Sequence, residues 1–303
     1  MKRIIISGIT GQDGYLLSNL LKKKKFSVLG LSRNKSKNKN ILKTNYSKKS
    51  LEKIIDSFKP EEIYNFAGFT NPTESWNNPS ENFFANFNIT LNFLEILKKN
   101  KHIKFFNASS SEIFADDESL LNENSKIFPI NPYGIAKSAS YFLMNAYREK
   151  YQLFLINGIL FNHESYRNKE KYLLKYLISS CKKIKEKKIK KIVVKDSRPI
   201  RDFGCAKEYV SYIFKLMQIK KPGDFIIASG KAYSVKQIVN IVRKKFHLPE
   251  SNFNYENNFQ FKNFSLSRKA QNKKLTKTLK LRAVKQLPDV VETMIKDLKY
   301  FKK

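Results

Sequence analysis

Tyr133 and Lys137 stand four residues apart in Tyr133-Gly134-Ile135-Ala136-Lys137. On a helix that spacing puts both side chains on one face. An ammonium beside a phenol favours the phenolate and lowers the tyrosine pKa toward working pH. Tyr133 is therefore a candidate general acid/base for a hydroxyl being oxidised, with Lys137 as its partner. A second cluster is Ser109-Ser110-Ser111-Glu112, where the run Ile103 to Asn107 reads as a strand ending in a serine-rich turn. The third is Gly8-Ile9-Thr10-Gly11-Gln12-Asp13-Gly14, set between an apolar strand and a helical stretch. Glycines there permit a tight turn and close approach to a pyrophosphate, which the helix N-terminus stabilises with amide donors. The spacing is G-x-x-G-x-x-G.

The end of the second strand selects between dinucleotides. An NAD site usually places a carboxylate there for the ribose 2′-hydroxyl. Here the segment is Leu29-Gly30-Leu31-Ser32-Arg33, with no acid from Ser27 to Leu51. Arg33 suits a 2′-phosphate, so NADP is favoured as cofactor.

The elements that must position these groups alternate. Strands are predicted over 2–7, 26–31, near Ile41, over 62–67, 103–107, 153–160 and 224–228. Helices are predicted from Tyr15 to Leu21, Leu51 to Phe58, Glu81 to Lys99 and Tyr133 to Lys150. The 81–99 helix would carry Phe84, Phe87, Leu91 and Leu94 on one face. Alternation with helix-length crossovers predicts an α/β doubly wound parallel Rossmann sheet. After Asn162 the rhythm changes to a very basic helix over 171–191 and helices over 235–246 and 290–301. A smaller α/β substrate-binding part is expected there. The division is 1–161 for the NADP-binding domain, with a chain return near 204–228, and 162–203 with 229–303 for this second part.

The order of these motifs resembles the extended short-chain dehydrogenase/reductase superfamily. Asn157-Gly158-Ile159-Leu160-Phe161-Asn162-His163-Glu164-Ser165 and the 8–14 turn narrow the resemblance to the GDP-mannose 4,6-dehydratase family. Arg201-Asp202-Phe203-Gly204 and Ala206-Lys207-Glu208-Tyr209-Val210 extend it. It covers residues 3 to about 240 well and the tail weakly. The resemblance implies a redox-neutral dehydration of a nucleotide-diphosphate hexose. Tyr133 takes the C4 hydroxyl proton, Glu112 removes the C5 proton, Ser110 hydrogen-bonds the reacting oxygen, and the hydride taken from C4 returns to C6. It further implies cofactor contacts from Gly8, Thr10, Gly11, Gln12, Asp13 and Gly14, and from Arg33, Ala67, Tyr133, Lys137, His163 and Arg167. His163 also reads as a satisfied core histidine. Asn162, Lys175, Arg201 and Lys262 correspond to substrate-facing positions. A homodimer or homotetramer is expected, with the 81–99 and 133–150 helices pairing across a dimer.

Some positions depart from the family pattern. Asn45 stands where an acid usually meets the adenine, and Phe69 replaces a common glutamine. The element that holds the nucleotide end is eroded to Lys262-Asn263-Phe264-Ser265. GDP-mannose remains the substrate expected by resemblance, with another NDP-hexose as the alternative. A 4-reductase or epimerase of the same superfamily is the competing enzyme reading.

Composition frames the choice. The 303 residues carry 59 Lys+Arg against 26 Asp+Glu, a net +33. Apolar residues make up 41%, enough for a sizeable core. A charge of +33 invites a nucleic-acid or membrane-surface reading, that is, a non-catalytic basic Rossmann protein binding polyanions. The Lys/Asn/Ile/Phe-rich composition instead fits a biased coding sequence with solvated lysines. Runs 22–25 and 182–191 lack the interleaved aromatics of single-strand binders, so no specific nucleic-acid partner is expected. The apolar start is interrupted at Ser7-Gly8, so no signal peptide is expected, and no run approaches the ~18 residues of a membrane span. Cys181 and Cys205 are too few for a disulfide framework or four-ligand metal site, which makes a reducing cytoplasm the default and leaves no metal expected.

Overall fold

The computed structural model describes residues 1–115, 120–257 and 266–300. They form two compact units. The first comprises 1–115, 123–160 and 210–227; the second comprises the described residues of 116–122, 161–209 and 228–303.

Strands are numbered along the chain. The first unit holds β1 (Arg3–Ser7), β2 (Ser27–Ser32), β3 (Ile41–Lys43), β4 (Glu62–Asn65), β5 (Lys104–Ser110), β7 (Leu155–Leu160) and β11 (Asp224–Ile227). They make one seven-stranded sheet in the order β11-β7-β5-β4-β1-β2-β3. All its pairings are parallel. The apolar runs explain this. Ile4, Ile5 and Ile6 are completely buried, as expected of a strand covered by helices on both faces. The chain runs outward from β1 to β2 and β3, then crosses back to β4. That reversal opens a crevice at the carboxyl ends of β1 and β4, where α/β sheets of this kind bind ligands. The doubly wound parallel sheet expected from the sequence is present.

The covering helices are α1 (Gln12–Lys23), α2 (Lys48–Phe58), α3 (Pro79–Phe83), α4 (Ile89–Leu97) and α5 (Pro132–Tyr151). The single helix expected over 81–99 is interrupted. A π-helical turn, Phe84–Asn88, separates α3 from α4. A π turn adds a residue to the helical repeat and rotates the faces that follow. The expected stripe is therefore split: Leu94 is buried as expected, but Phe84 is 45% exposed, and Ile89, Phe93 and Leu97 complete the face that reaches the core. The serine-rich turn is also displaced. Ser109 and Ser110 belong to β5, opposite Ile159 and Leu160 of β7. The turn begins only at Ser111, as a short 3-10 segment, Ser111–Ile113.

The second unit holds β6 (Leu120–Leu121), β8 (Asn162–Glu164), β9 (Ile192–Val194), β10 (Ile200–Cys205), β12 (Ala232–Ser234), β13 (Phe253–Tyr255) and β14 (Ser267–Ala270). Its main sheet runs β12-β10-β14-β6, with β8 also on β10, and β13 pairs β9 separately. Its helices include α6 (Leu173–Lys185), α8 (Val235–Lys245) and α10 (Leu287–Tyr300), whose apolar faces share one core with Phe203 and Cys205. Helix α9 (Lys273–Leu279) is shorter, and α7 (Ala206–Leu216) begins in this unit and ends in the first. The basic helix expected over 171–191 stops at Lys185. Lys187 takes a left-handed φ of 56°, and the chain re-enters as β9. Unit boundaries also differ from those expected. Leu120–Leu121 pairs with β14, which draws residues 120–122 into the second unit, and β10 carries residues 204–205 there too. Among the described residues, no helix is long and apolar enough to cross a membrane.

Candidate active site

The glycine turn sits at the carboxyl end of β1. Gly8 has φ +71°, and a Cβ there would lie 2.8 Å from the Ala67 nitrogen and the Phe66 carbonyl oxygen. A Cβ on Gly14 would lie 2.5 Å from the Gly8 carbonyl oxygen. Side chains at either position would fill the cradle, so the residues present fit a closely approaching diphosphate. Gly11 caps α1; Thr10 and Gly11 are exposed, and Gln12 and Asp13 open the helix. The Ala67 amide donates to Ser7 Oγ at 3.2 Å, which fastens the segment after β4 beside the turn. Arg33 follows β2 on the same edge, since Leu31 is in register with Ser7. Its guanidinium lies 3.3 Å from Glu81 Oε1.

Tyr46 was not singled out by sequence reasoning. Its buried hydroxyl donates to the Leu31 carbonyl at 3.0 Å and accepts from the Gly8 amide at 3.3 Å. Burial pushes its pKa up to about 12, so it stays a neutral brace beneath the turn. No motif marks such a residue, because its role depends on the chain returning under β1.

The second cluster joins β5 to α5. Tyr133 and Lys137 occupy the first turns of α5, and both are almost wholly buried. Lys137 Nζ lies 5.8 Å from the Tyr133 ring centroid and donates to the Ala108 carbonyl of β5 at 2.7 Å. Burial pulls the Lys137 pKa down to about 8. Ser110 Oγ accepts from the Glu112 amide at 3.2 Å, which sets the turn that presents Glu112. Gly134 permits the close approach of α5 to that turn, since a Cβ there would lie 2.4 Å from the Glu112 carbonyl oxygen.

Asn131 ties the cluster together. It caps α5 by accepting the Gly134 amide at 2.8 Å, while its Nδ2 donates to Glu112 Oε2 at 3.1 Å. Its sequence signal was available: an Asn just before Pro132 is an N-cap signature. The contact with Glu112 was not. Ser75 Oγ accepts the Tyr133 amide at 3.2 Å and anchors the same end of the helix. The structure thus brings together Ser110, Glu112, Tyr133 and Lys137, with the glycine turn on the same sheet.

The remaining predicted residues lie in the second unit. Asn162 and His163 are on β8, opposite Phe203 and Gly204 of β10, and Asn162 is exposed. His163 Nδ1 is 2.7 Å from the Phe161 carbonyl oxygen, and its ring stacks on Tyr209 at 4.9 Å. The Arg167 amide donates to Ser165 Oγ at 3.2 Å. Lys175 Nζ donates to the Tyr166 carbonyl at 2.7 Å. Its amide and that of Leu174 both donate to the buried carboxylate of Glu164, each at 3.2 Å. Burial raises the Glu164 pKa to about 7, although the amides favour its ionised form. Arg201 lies on β10 and donates to the carbonyls of Ile200 and Leu266, at 2.9 and 3.1 Å. Lys262 lies outside the described residues.

Comparison with known proteins places this geometry. The family model described as GDP-mannose 4,6 dehydratase matches residues 5–294. GDP-mannose 4,6 dehydratase 2 of Caenorhabditis elegans is 31% identical over 266 residues, which cover 79% of this chain and 69% of that protein. GDP-mannose 4,6 dehydratase of Drosophila melanogaster is 32% identical over 267 residues, covering 80% and 68%. The crystal structure of dTDP-glucose 4,6-dehydratase from Bacillus anthracis in complex with NAD shares the fold. Its TM-score is 0.85 at 16% identity, over 100% of this chain and 98% of that one. The match of the family model over almost the whole chain, with the two relatives beside it, leads to one conclusion: the chain belongs to the GDP-mannose 4,6-dehydratase family.

Proposed function

We propose that this protein dehydrates GDP-mannose to GDP-4-keto-6-deoxymannose with NADP as its cofactor. The observation that carries the reading is a carboxylate, Glu112, held by Asn131 beside the Tyr133–Lys137 face of α5. A reductase or epimerase has no need of a base there.

NADP bound at the glycine turn would accept the C4 hydride and return it to C6. Gly8, Gly11 and Gly14 leave room for its diphosphate, and Arg33 suits its 2′-phosphate. Tyr133 takes the C4 hydroxyl proton, and the Lys137 ammonium favours the phenolate that does so. Ser110 uses its oxygen to accept the Glu112 amide, so its hydroxyl proton remains for the reacting sugar oxygen. The C4 carbonyl acidifies C5. Asn131 occupies Oε2 of Glu112, leaving Oε1 to take the C5 proton. That proton and the C6 hydroxyl make the released water. In the overall balance, the proton Tyr133 took from C4 is regained by the product at C5.

In the second unit, Asn162, Lys175 and Arg201 are proposed to face the substrate, with Lys262 toward the nucleotide end, and His163 and Arg167 to face the cofactor. A homodimer through the 81–99 stretch and α5 is supported by the exposed apolar residues Phe84, Ile135 and Phe142. A cytoplasmic location is the corresponding reading of the cysteine usage.

The test is incubation with GDP-mannose and catalytic NADP⁺, read by product mass and NMR. A product lighter by one water, without net NADPH, supports the proposal. Turnover of another NDP-hexose but not GDP-mannose would overturn the substrate, and no turnover of any NDP-hexose would overturn the activity.

A further inference from the structure

Arg33 does not stand alone at the end of β2. Its Nη1 is 3.3 Å from Glu81 Oε1, and its guanidinium lies 5.9 Å from the Phe69 ring centroid. Glu81 is itself held. Its Oε2 accepts from Asn78 Nδ2 at 3.0 Å, and its amide donates to Asn78 Oδ1 at 3.1 Å, where Asn78 caps α3. The carboxylate is therefore fixed by its own helix cap and aimed at the guanidinium. Both side chains are about half exposed, 56% for Arg33 and 48% for Glu81, so an incoming anion has access to the pair.

A ribose 2′-phosphate and a carboxylate ask the same thing of a guanidinium: its planar fork of donors. Phe69 supports one face of that fork and so helps keep the donors at one place. Glu81 already takes one of these donors, Nη1, and a dinucleotide with a plain 2′-hydroxyl leaves that ion pair intact. One with a 2′-phosphate brings a second anion to the same guanidinium, beside a like charge.

We infer that Glu81 is a specificity-determining residue for the cofactor: it holds Arg33 in place of the 2′-phosphate, so two anions compete for one guanidinium. The inference rests on the reading of the glycine turn and Arg33 as a dinucleotide site. Glu81 acts only through Arg33, and its effect falls on phosphorylated dinucleotides alone.

The experiment is calorimetric titration of the full chain with NADP⁺ and, separately, NAD⁺, in the absence of any sugar. Wild type, Glu81→Gln, Glu81→Ala and Arg33→Ala are compared, with melting temperatures recorded for each. Both Glu81 variants should bind NADP⁺ about three- to fivefold more tightly, the size an exposed ion pair carries, with NAD⁺ affinity unchanged. The gain should shrink as salt is raised. Arg33→Ala should weaken NADP⁺ by about tenfold or more and leave NAD⁺ unchanged. If Arg33→Ala shows that loss while neither Glu81 variant tightens NADP⁺, the role of Glu81 is overturned and the cofactor reading stands. If Arg33→Ala leaves NADP⁺ affinity unchanged, both fall together.

Discussion

Asn131 donates from Nδ2 to Glu112 Oε2 at 3.1 Å while its Oδ1 accepts the amide that starts α5 at 2.8 Å. One side chain thereby fixes the proposed C5 base to the helix that carries the proposed C4 base. Replacing Asn131 by Ala should remove the cap, costing about 1 kcal/mol, and free Glu112 to rotate. Asn131→Asp should keep the cap but put a like charge beside Glu112. That replaces a donor to the proposed C5 base with a repulsive neighbour, so kcat should fall while the cap's stability is kept. Melting curves and kcat of the two variants separate the cap from the contact.

Glu112→Gln should abolish C5 deprotonation while leaving C4 oxidation open. Turnover should fall by about 10²–10⁴-fold, the range carried by a positioned acid/base. With NADP⁺ and GDP-mannose, the variant should show reduced-cofactor absorbance without dehydrated product. Full dehydration by this variant would remove Glu112 from the mechanism.

The Lys137 pKa lies at about 8 against an ordinary 10.5, because burial disfavours the charged form. Below pH 8 both folded and unfolded chains hold the proton, and the folded state bears the cost of a buried charge. Between pH 8 and 10.5 the unfolded chain binds more protons, so this contribution to stability improves as pH rises. Lys137→Met should therefore be more stable than wild type at pH 7, with the gap closing toward pH 10.5. Activity should run the other way and fall above pH 8 as the ammonium is lost. Denaturation midpoints and kcat across that range check both signs.

Gly14→Ala places a methyl 2.5 Å from the Gly8 carbonyl oxygen. The overpacked turn should lose about 1–3 kcal/mol of stability and bind dinucleotide at least tenfold more weakly. Thermal melts and cofactor titration measure the two effects.

The first unit was largely legible because long buried strands leave apolar runs, as in Ile4-Ile5-Ile6, and because the glycine turn must lie where β1 ends. What escaped follows from two causes. A π turn such as Phe84–Asn88 is a local insertion with no composition of its own, so the stripe expected on Phe84 and Phe87 continued smoothly through it. The second unit is built from strands such as β8, β9 and β12, only three residues each, too short to show a period of two. Its buried polar residues, Asp202 and Arg268, further blur the pattern. At the candidate site, Tyr133 and Lys137 were readable as types at a spacing, and Glu112 through the family resemblance. The Asn131–Glu112 and Tyr46–Gly8 contacts were not, because each joins residues distant in sequence.

Strand β5 supplies the Ala108 carbonyl that receives Lys137, carries Ser110, and leads within two residues to Glu112. These groups share one datum, so displacement along the strand is common to all of them and cancels in their mutual separations. Helix α5 is a separate element, joined to that strand and its turn by the Lys137–Ala108 and Asn131–Glu112 contacts. Mutational tolerance should therefore be asymmetric. Substitutions that shift β5 as a body should be forgiven, while those that tilt the first turn of α5 against it should be felt even when they touch no reacting group.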